Sequence, residues 1–118
     1  MVDFICYPKC TTCKKAKEWL DKNGIEYTLR DIKENNPSYN ELVEWYKISK
    51  QPLKKFFNTS GVLYKSMELK NKLPEMNEEE MINLLSTDGM LVKRPLLISD
   101  DFVLIGFKEQ EWIEKFSK

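Results

Sequence analysis

The chain has 118 residues, 42% of them apolar and 32% charged, and its lysines plus arginines balance its aspartates plus glutamates at 19 each. This length is enough for one domain (1–118) with a real core, and the composition is that of an ordinary soluble protein, neither disordered nor membrane-spanning. A net charge of zero argues against broad charge-driven binding to nucleic acid, and no apolar run approaches a bilayer span.

The N-terminus shows no basic region followed by an apolar leader, so no membrane association and a cytoplasmic location are expected. In that compartment thiols are kept reduced, and a cysteine pair cycles instead of serving as a staple.

Val2 to Tyr7 reads as a first strand, and Pro8-Lys9 as the turn out of it. From Thr11 to about Asn23 the pattern is helical, with Cys13, Ala16, Trp19 and Leu20 recurring at three- and four-residue spacing. Gly24 is the expected end of that helix, and Ile25 to Ile32 alternates as a second strand should. Between about 33 and 93 the character becomes helical. Asn36-Pro37-Ser38 signals a helix start, whose apolar face carries Leu42, Val43, Trp45 and Tyr46.

A short piece follows at Leu53 to Phe57, then a helical one at Val62 to Leu69. Asn77 with Glu80 three residues on forms a capping-box pairing for a further helix that buries Met81, Ile82, Leu84 and Leu85. A third strand over Lys93 to Ile98 and a fourth over Phe102 to Ile105 are too closely spaced for a crossover and should pair antiparallel. Glu109 to Phe116 closes the chain as a helix. The order βαβ, inserted helices, ββα predicts an α/β, thioredoxin-like fold, a four-stranded mixed sheet with an inserted helical layer at about 33–93.

Chemistry concentrates where the first strand gives way to the first helix, at Cys10, Thr11, Thr12 and Cys13. Cys10 falls at the helix start, where unpaired backbone N–H groups favour a thiolate, the nucleophilic form of cysteine. Cys13 lies one turn further on the same face, within reach of closing a disulfide. One sulfur that attacks and another that resolves are what thiol–disulfide exchange requires. Two inert, buried cysteines are the alternative. A closed zinc site is disfavoured, because the chain has no histidine and one further cysteine, Cys6. Cys6 alternates with Val2 and Phe4 and reads as a core residue. No metal and no cofactor are expected.

The pair Cys10 and Cys13 on a strand-to-helix turn, Lys93-Arg94-Pro95 ahead of the third strand, and the helical insertion together resemble the arsenate reductase (ArsC)/Spx family across essentially the whole chain. A C-x-x-C is common by itself; the ordered combination with Arg94-Pro95 carries the resemblance. The segments 53–61 and 84–95 are similar to its ArsC-like and regulatory branches more than to its arsenic enzymes.

The resemblance implies that Cys10 is the nucleophile, that Arg94 holds an anion or steadies the thiolate, and that Pro95 follows a cis peptide bond. It also implies substrate contacts at Thr11 and Thr12. Glutathione, glutaredoxin or thioredoxin would be the reductant, and a monomer is expected.

Two departures stand out. Cys13 occupies the place of a serine in the glutathione-linked enzymes. Of the three arginines that surround arsenate there, one falls at or near Asn58 and another near Gly106, so that Arg94 alone is retained. A doubly charged oxyanion would then be held weakly, which weighs against arsenate as the substrate. The Spx branch implies a different role, a redox-sensing regulator that binds the C-terminal domain of the RNA polymerase α subunit without reading DNA itself. Where that branch carries a glycine in the contact region, the nearest residues here are Lys50-Gln51-Pro52.

Overall fold

A computed structural model describes residues 2–117. Its centre is a four-stranded mixed sheet with the strand order β2-β1-β3-β4. The strands are β1 (Val2–Cys6), β2 (Tyr27–Asp31), β3 (Leu96–Ile98) and β4 (Val103–Ile105). β1 and β2 pair in parallel across helix α1 (Thr11–Lys22), whereas β3 runs antiparallel to both β1 and β4. The closing helix spans Glu109–Phe116. This is the thioredoxin-like arrangement expected from the element order.

Because strand side chains alternate between faces, the sheet separates two apolar layers. Val2, Phe4 and Cys6 of β1, Leu97 of β3 and Leu104 of β4 lie on the face covered by α1, with Cys13, Ala16 and Leu20, and by the closing helix, with Trp112. Ile5, Leu96, Ile98 and Val103 point the other way, into the helical segment between β2 and β3.

That segment contains α2 (Tyr39–Ser49), α3 (Val62–Ser66), α4 (Leu69–Lys72) and α5 (Glu78–Thr87), so the closing helix is α6. Both α2 and α5 start with complete capping boxes, Ser38 with Glu41 and Asn77 with Glu80. Each box satisfies backbone donors that the first turn would otherwise leave unpaired.

Several boundaries differ from the sequence reading for local reasons. The single helical piece expected over Val62 to Leu69 is two, because Glu68 adopts a left-handed conformation at φ 54°. β2 begins at Tyr27 instead of Ile25, since the Ile25 N–H is spent on the Leu20 carbonyl at the end of α1. β3 begins at Leu96 because Lys93 pairs elsewhere. Its N–H donates to the Phe56 carbonyl at 2.7 Å, while the Asn58 N–H donates to Leu91 at 2.8 Å. These bonds flank an antiparallel bridge between Phe57 and Val92, which joins segment 56–58 to segment 91–93.

Two contacts fasten the helical segment to the sheet. Arg30 of the edge strand β2 holds Glu41 in a bidentate pair, Nη1 to Oε2 at 2.7 Å and Nη2 to Oε1 at 2.9 Å. The same Glu41 completes the α2 capping box, and the Arg30 guanidinium lies over the Trp45 ring, 5.8 Å from its centroid. Gly89, buried beyond α5, passes so close to the chain after β2 that a Cβ there would stand 1.8 Å from the Ile32 carbonyl oxygen.

Two predictions follow from these contacts. The Arg30 guanidinium beside Glu41 lowers its carboxyl from the ordinary value of 4.5 to about 2. A depressed carboxylate stabilises the fold above its unfolded value, and that contribution is lost as pH falls from about 4.5 towards about 2. Glu41→Gln should therefore cost about 1–2 kcal/mol at neutral pH, allowing for partial solvent screening, with the gap to wild type closing across that acid window in urea titrations. Gly89→Ala should cost about 3 kcal/mol or more, because backbone must move to admit the methyl, and a drop in thermal midpoint would register it.

Candidate active site at the start of α1

The turn from β1 into α1 is tied through Tyr7. Its carbonyl accepts the Cys10 N–H at 2.9 Å, and its own N–H donates to Cys13 Sγ at 3.3 Å. Cys10 is the N-cap of α1, in extended conformation, and its side chain makes no capping bond, so the sulfur is not engaged in closing the helix. No acidic residue lies in the first turn of α1 to offset the positive end of the helix.

All three cysteines are free thiols. Cys10 is half-buried, whereas Cys13 and Cys6 are buried at 2% and 5% exposure. Cys13 neighbours both Cys10 and Cys6, and each acts on its ionisation. The Cys6 contact, followed by burial, pushes the Cys13 thiol far up, while the same contact lowers Cys6 against the opposing effect of its own burial.

Cys10 opens onto a cleft of about 820 Å³. Thr12 and Asn58 share its wall with three cations, Lys93, Arg94 and Lys108, and no acidic side chain lines it among the described residues. Leu63, Met90, Ile105 and Phe107 supply apolar surface, and Phe107 packs edge-on against the buried Trp112 at 4.8 Å between centroids. Such a volume suits a ligand much larger than a single oxyanion.

Arg94 is held in a particular pose. Its guanidinium lies over the Tyr7 ring, 5.3 Å from the centroid, and Nη1 approaches the Met90 carbonyl at 3.5 Å. With the Asn58 amide turned so that its oxygen faces Arg94, that oxygen accepts from Nη1 at 3.2 Å and Nη2 at 3.3 Å. Nε is buried and has no hydrogen-bond partner, unlike every other buried side-chain nitrogen or oxygen among the described residues. A buried donor left unpaired costs free energy that a bound acceptor would restore.

The structure thus brings Cys10, Cys13, Thr12 and Arg94 to one end of the sheet. Thr11 is exposed and does not line the cleft. The Arg94–Pro95 peptide is cis, as the resemblance implies, and the Pro95 carbonyl accepts the Gly106 N–H at 2.8 Å. Asn58 and Gly106, the positions where the resemblance misses two arginines, both line the cleft. Gly106 sits at φ 76°, a conformation that strains any other L-residue, and arginine there would be no exception.

Sequence reading assigned no site role to Tyr7 or Lys108, nor to Lys93 beyond its place in the Lys93-Arg94-Pro95 motif. Lys93 adjoins Arg94 in the chain and could have been found from that adjacency. Tyr7 acts through its backbone and ring face, which no spacing pattern reveals.

A dithiol on a strand-to-helix turn of a thioredoxin-like sheet, opposite an arginine and a cis-proline, defines a class of thiol redox proteins. Within that class the chain belongs to the ArsC family, whose model matches residues 6–116. A crystal structure of an ArsC family related protein from Bacteroides fragilis superposes with a TM-score of 0.95 at 56% identity, covering 98% of this chain and 97% of the other. The uncharacterized protein YusI of Bacillus subtilis is 48% identical over 97% of both chains. The regulatory protein MgsR of the same organism is 30% identical over 98% of this chain and 89% of its own.

The exposure difference among the thiols sets an expected order of reactivity. Iodoacetamide should label Cys10 at least about tenfold faster than Cys6 or Cys13 in the folded protein, read by peptide mass mapping at short times. In denaturant the three rates should converge.

Proposed function

We propose that this protein is a thiol–disulfide oxidoreductase, with Cys10 as nucleophile and Cys13 as resolving thiol. The observation that carries the reading is a half-exposed, uncapped Cys10 in contact with a buried thiol, on the wall of a basic cleft. The Cys10 thiolate attacks one sulfur of a substrate disulfide, and the other leaves as a thiolate. Cys13 then attacks Cys10, forming the Cys10–Cys13 disulfide and releasing the second substrate thiol. A dithiol such as glutaredoxin or thioredoxin, or two molecules of glutathione, returns the pair to its reduced state.

Arg94 is assigned the anionic part of the substrate, through its charge on the cleft wall. Thr12 and the lysines at 93 and 108 extend that polar wall. Arsenate is disfavoured as the substrate. The Nη atoms of Arg94 already face the Asn58 amide, Gly106 cannot readily be replaced by a second guanidinium, and the cleft far exceeds the ion. A peptide-sized disulfide suits it better.

A second reading is favoured by the similarity to the regulatory protein MgsR over nearly the whole chain. In it the same dithiol is the switch of a regulator that binds the C-terminal domain of the RNA polymerase α subunit. Lys50-Gln51-Pro52 weighs against a direct transfer of the Spx contact. Lys50 ends α2 in a left-handed conformation at φ 56°, and Pro52 offers no N–H to a partner.

Steady-state reduction of a glutathionylated peptide distinguishes the two. Turnover should fall by at least about a thousandfold in Cys10→Ser, and by about tenfold or more in Arg94→Gln. Absence of turnover in wild type, together with oxidation-dependent capture by the α-subunit domain, would establish the regulator instead.

A further inference from the structure

The oxidoreductase reading uses two of the three cysteines, and the third is not remote from them. Cys6 is the last residue of β1 and faces α1 in register with Val2 and Phe4, on the same side of the sheet as Cys13. Cys13 is therefore the middle member of a row. Its neighbours are Cys10, which opens onto the cleft, and Cys6, which lies in the buried layer. The Cys13 sulfur is fixed by the Tyr7 N–H at 3.3 Å. Two buried thiols in the same apolar layer, with no disulfide between them, form a pair that the exchange reaction described above leaves idle.

We propose that Cys6 is a third redox thiol, and that the Cys10–Cys13 disulfide exchanges internally to give a buried Cys6–Cys13 disulfide and a free Cys10. This step rests on the oxidoreductase reading for the disulfide it starts from. The Cys6 thiolate attacks Cys13 Sγ. The bond between Cys10 and Cys13 breaks as the bond between Cys6 and Cys13 forms, and Cys10 leaves with the electron pair as a thiolate. The proton lost from Cys6 is balanced by the one Cys10 can take from solvent. No oxidant or reductant is consumed, because the number of disulfides is unchanged.

The physical circumstances favour this direction of attack. Cys6 and Cys13 lie in one buried layer on the same face of the sheet, so the attacking and accepting sulfurs are neighbours before the step begins. Once Cys13 is in disulfide linkage with Cys10, its sulfur becomes an electrophile within that layer. No external reagent has to reach Cys6, since the oxidation arrives through Cys13. The product places the disulfide in the apolar layer beneath α1 and hands back the one cysteine that opens onto the cleft.

The chain makes the test direct. Lys9 separates Cys6 from Cys10, and Lys14 follows Cys13. Trypsin therefore places Cys10 and Cys13 in one peptide and Cys6 in another. The wild-type protein is equilibrated with glutathione and glutathione disulfide over a range of ratios, quenched with acid, alkylated and digested without reduction.

The proposal expects two oxidised products. One is the internally linked peptide of Cys10 and Cys13. The other is a crosslink from Cys6 to Cys13 in which Cys10 carries the alkyl group. The crosslink should disappear in Cys6→Ala, with the internal disulfide retained and the circular dichroism unchanged. In Cys10→Ser, the crosslink should no longer form in the glutathione mixtures, because the accessible thiol through which oxidation enters is gone.

An internal disulfide without the crosslink at every ratio would overturn the relay and leave the oxidoreductase reading standing. Absence of both products in wild type would overturn both.

Discussion

The backbone of Tyr7 is the constraint on which the site depends. Its carbonyl holds the Cys10 amide and its amide holds the Cys13 sulfur, so one residue fixes both ends of the C-x-x-C as the chain turns from strand to helix. The ring of the same residue lies beneath the Arg94 guanidinium. A sulfur is a weak acceptor, but a buried amide without any partner would be costly, so Cys13 satisfies the turn as well as awaiting its redox partner. Structural and chemical demands on Cys13 coincide, and its burial serves both.

The sheet divides the labour between its faces. On one side Trp112, Phe4 and Leu20 pack around Cys6 and Cys13, so the thiols sit in an apolar layer that ordinary solvent does not reach. On the other, the helical segment is anchored by the Arg30–Glu41 pair and by the close pass of Gly89 under Ile32. The two-residue pairing of segment 56–58 with segment 91–93 carries that anchoring into the site. It sets Asn58 beside Arg94, which orients the guanidinium and leaves Nε as the donor without a partner. Stability of the helical segment and readiness of the arginine are therefore linked through a short stretch of backbone.

The strands, the first helix, the Asn77–Glu80 capping box and the closing helix were legible because their signals are local. Apolar spacing identifies α1 from Cys13, Ala16 and Leu20, and Asn77 with Glu80 marks α5 without any tertiary information. Boundaries failed where a backbone group was claimed from outside the element, as at Ile25 and Lys93. The break at Glu68 was hidden for another reason, since glutamate carries no preference for a left-handed turn. In the site, the cysteine pair and Arg94-Pro95 could be read directly. The contact of Cys6 with Cys13 could not. Alternation along β1 showed which face Cys6 occupies, but not that α1 presents a thiol to it.

The two halves of the cleft lie far apart in the chain. Cys10 and Thr12 belong to the first strand-helix junction, whereas Lys93, Arg94 and Lys108 come near the other end. During synthesis, then, the sulfurs leave the ribosome long before the residues that complete their surroundings. A nascent polypeptide exposes plain cysteines until its final quarter has emerged and the β3–β4 hairpin has added to β1. Ordering in time follows from strand order in space: addition of the late β3–β4 hairpin to β1 is what assembles the cleft.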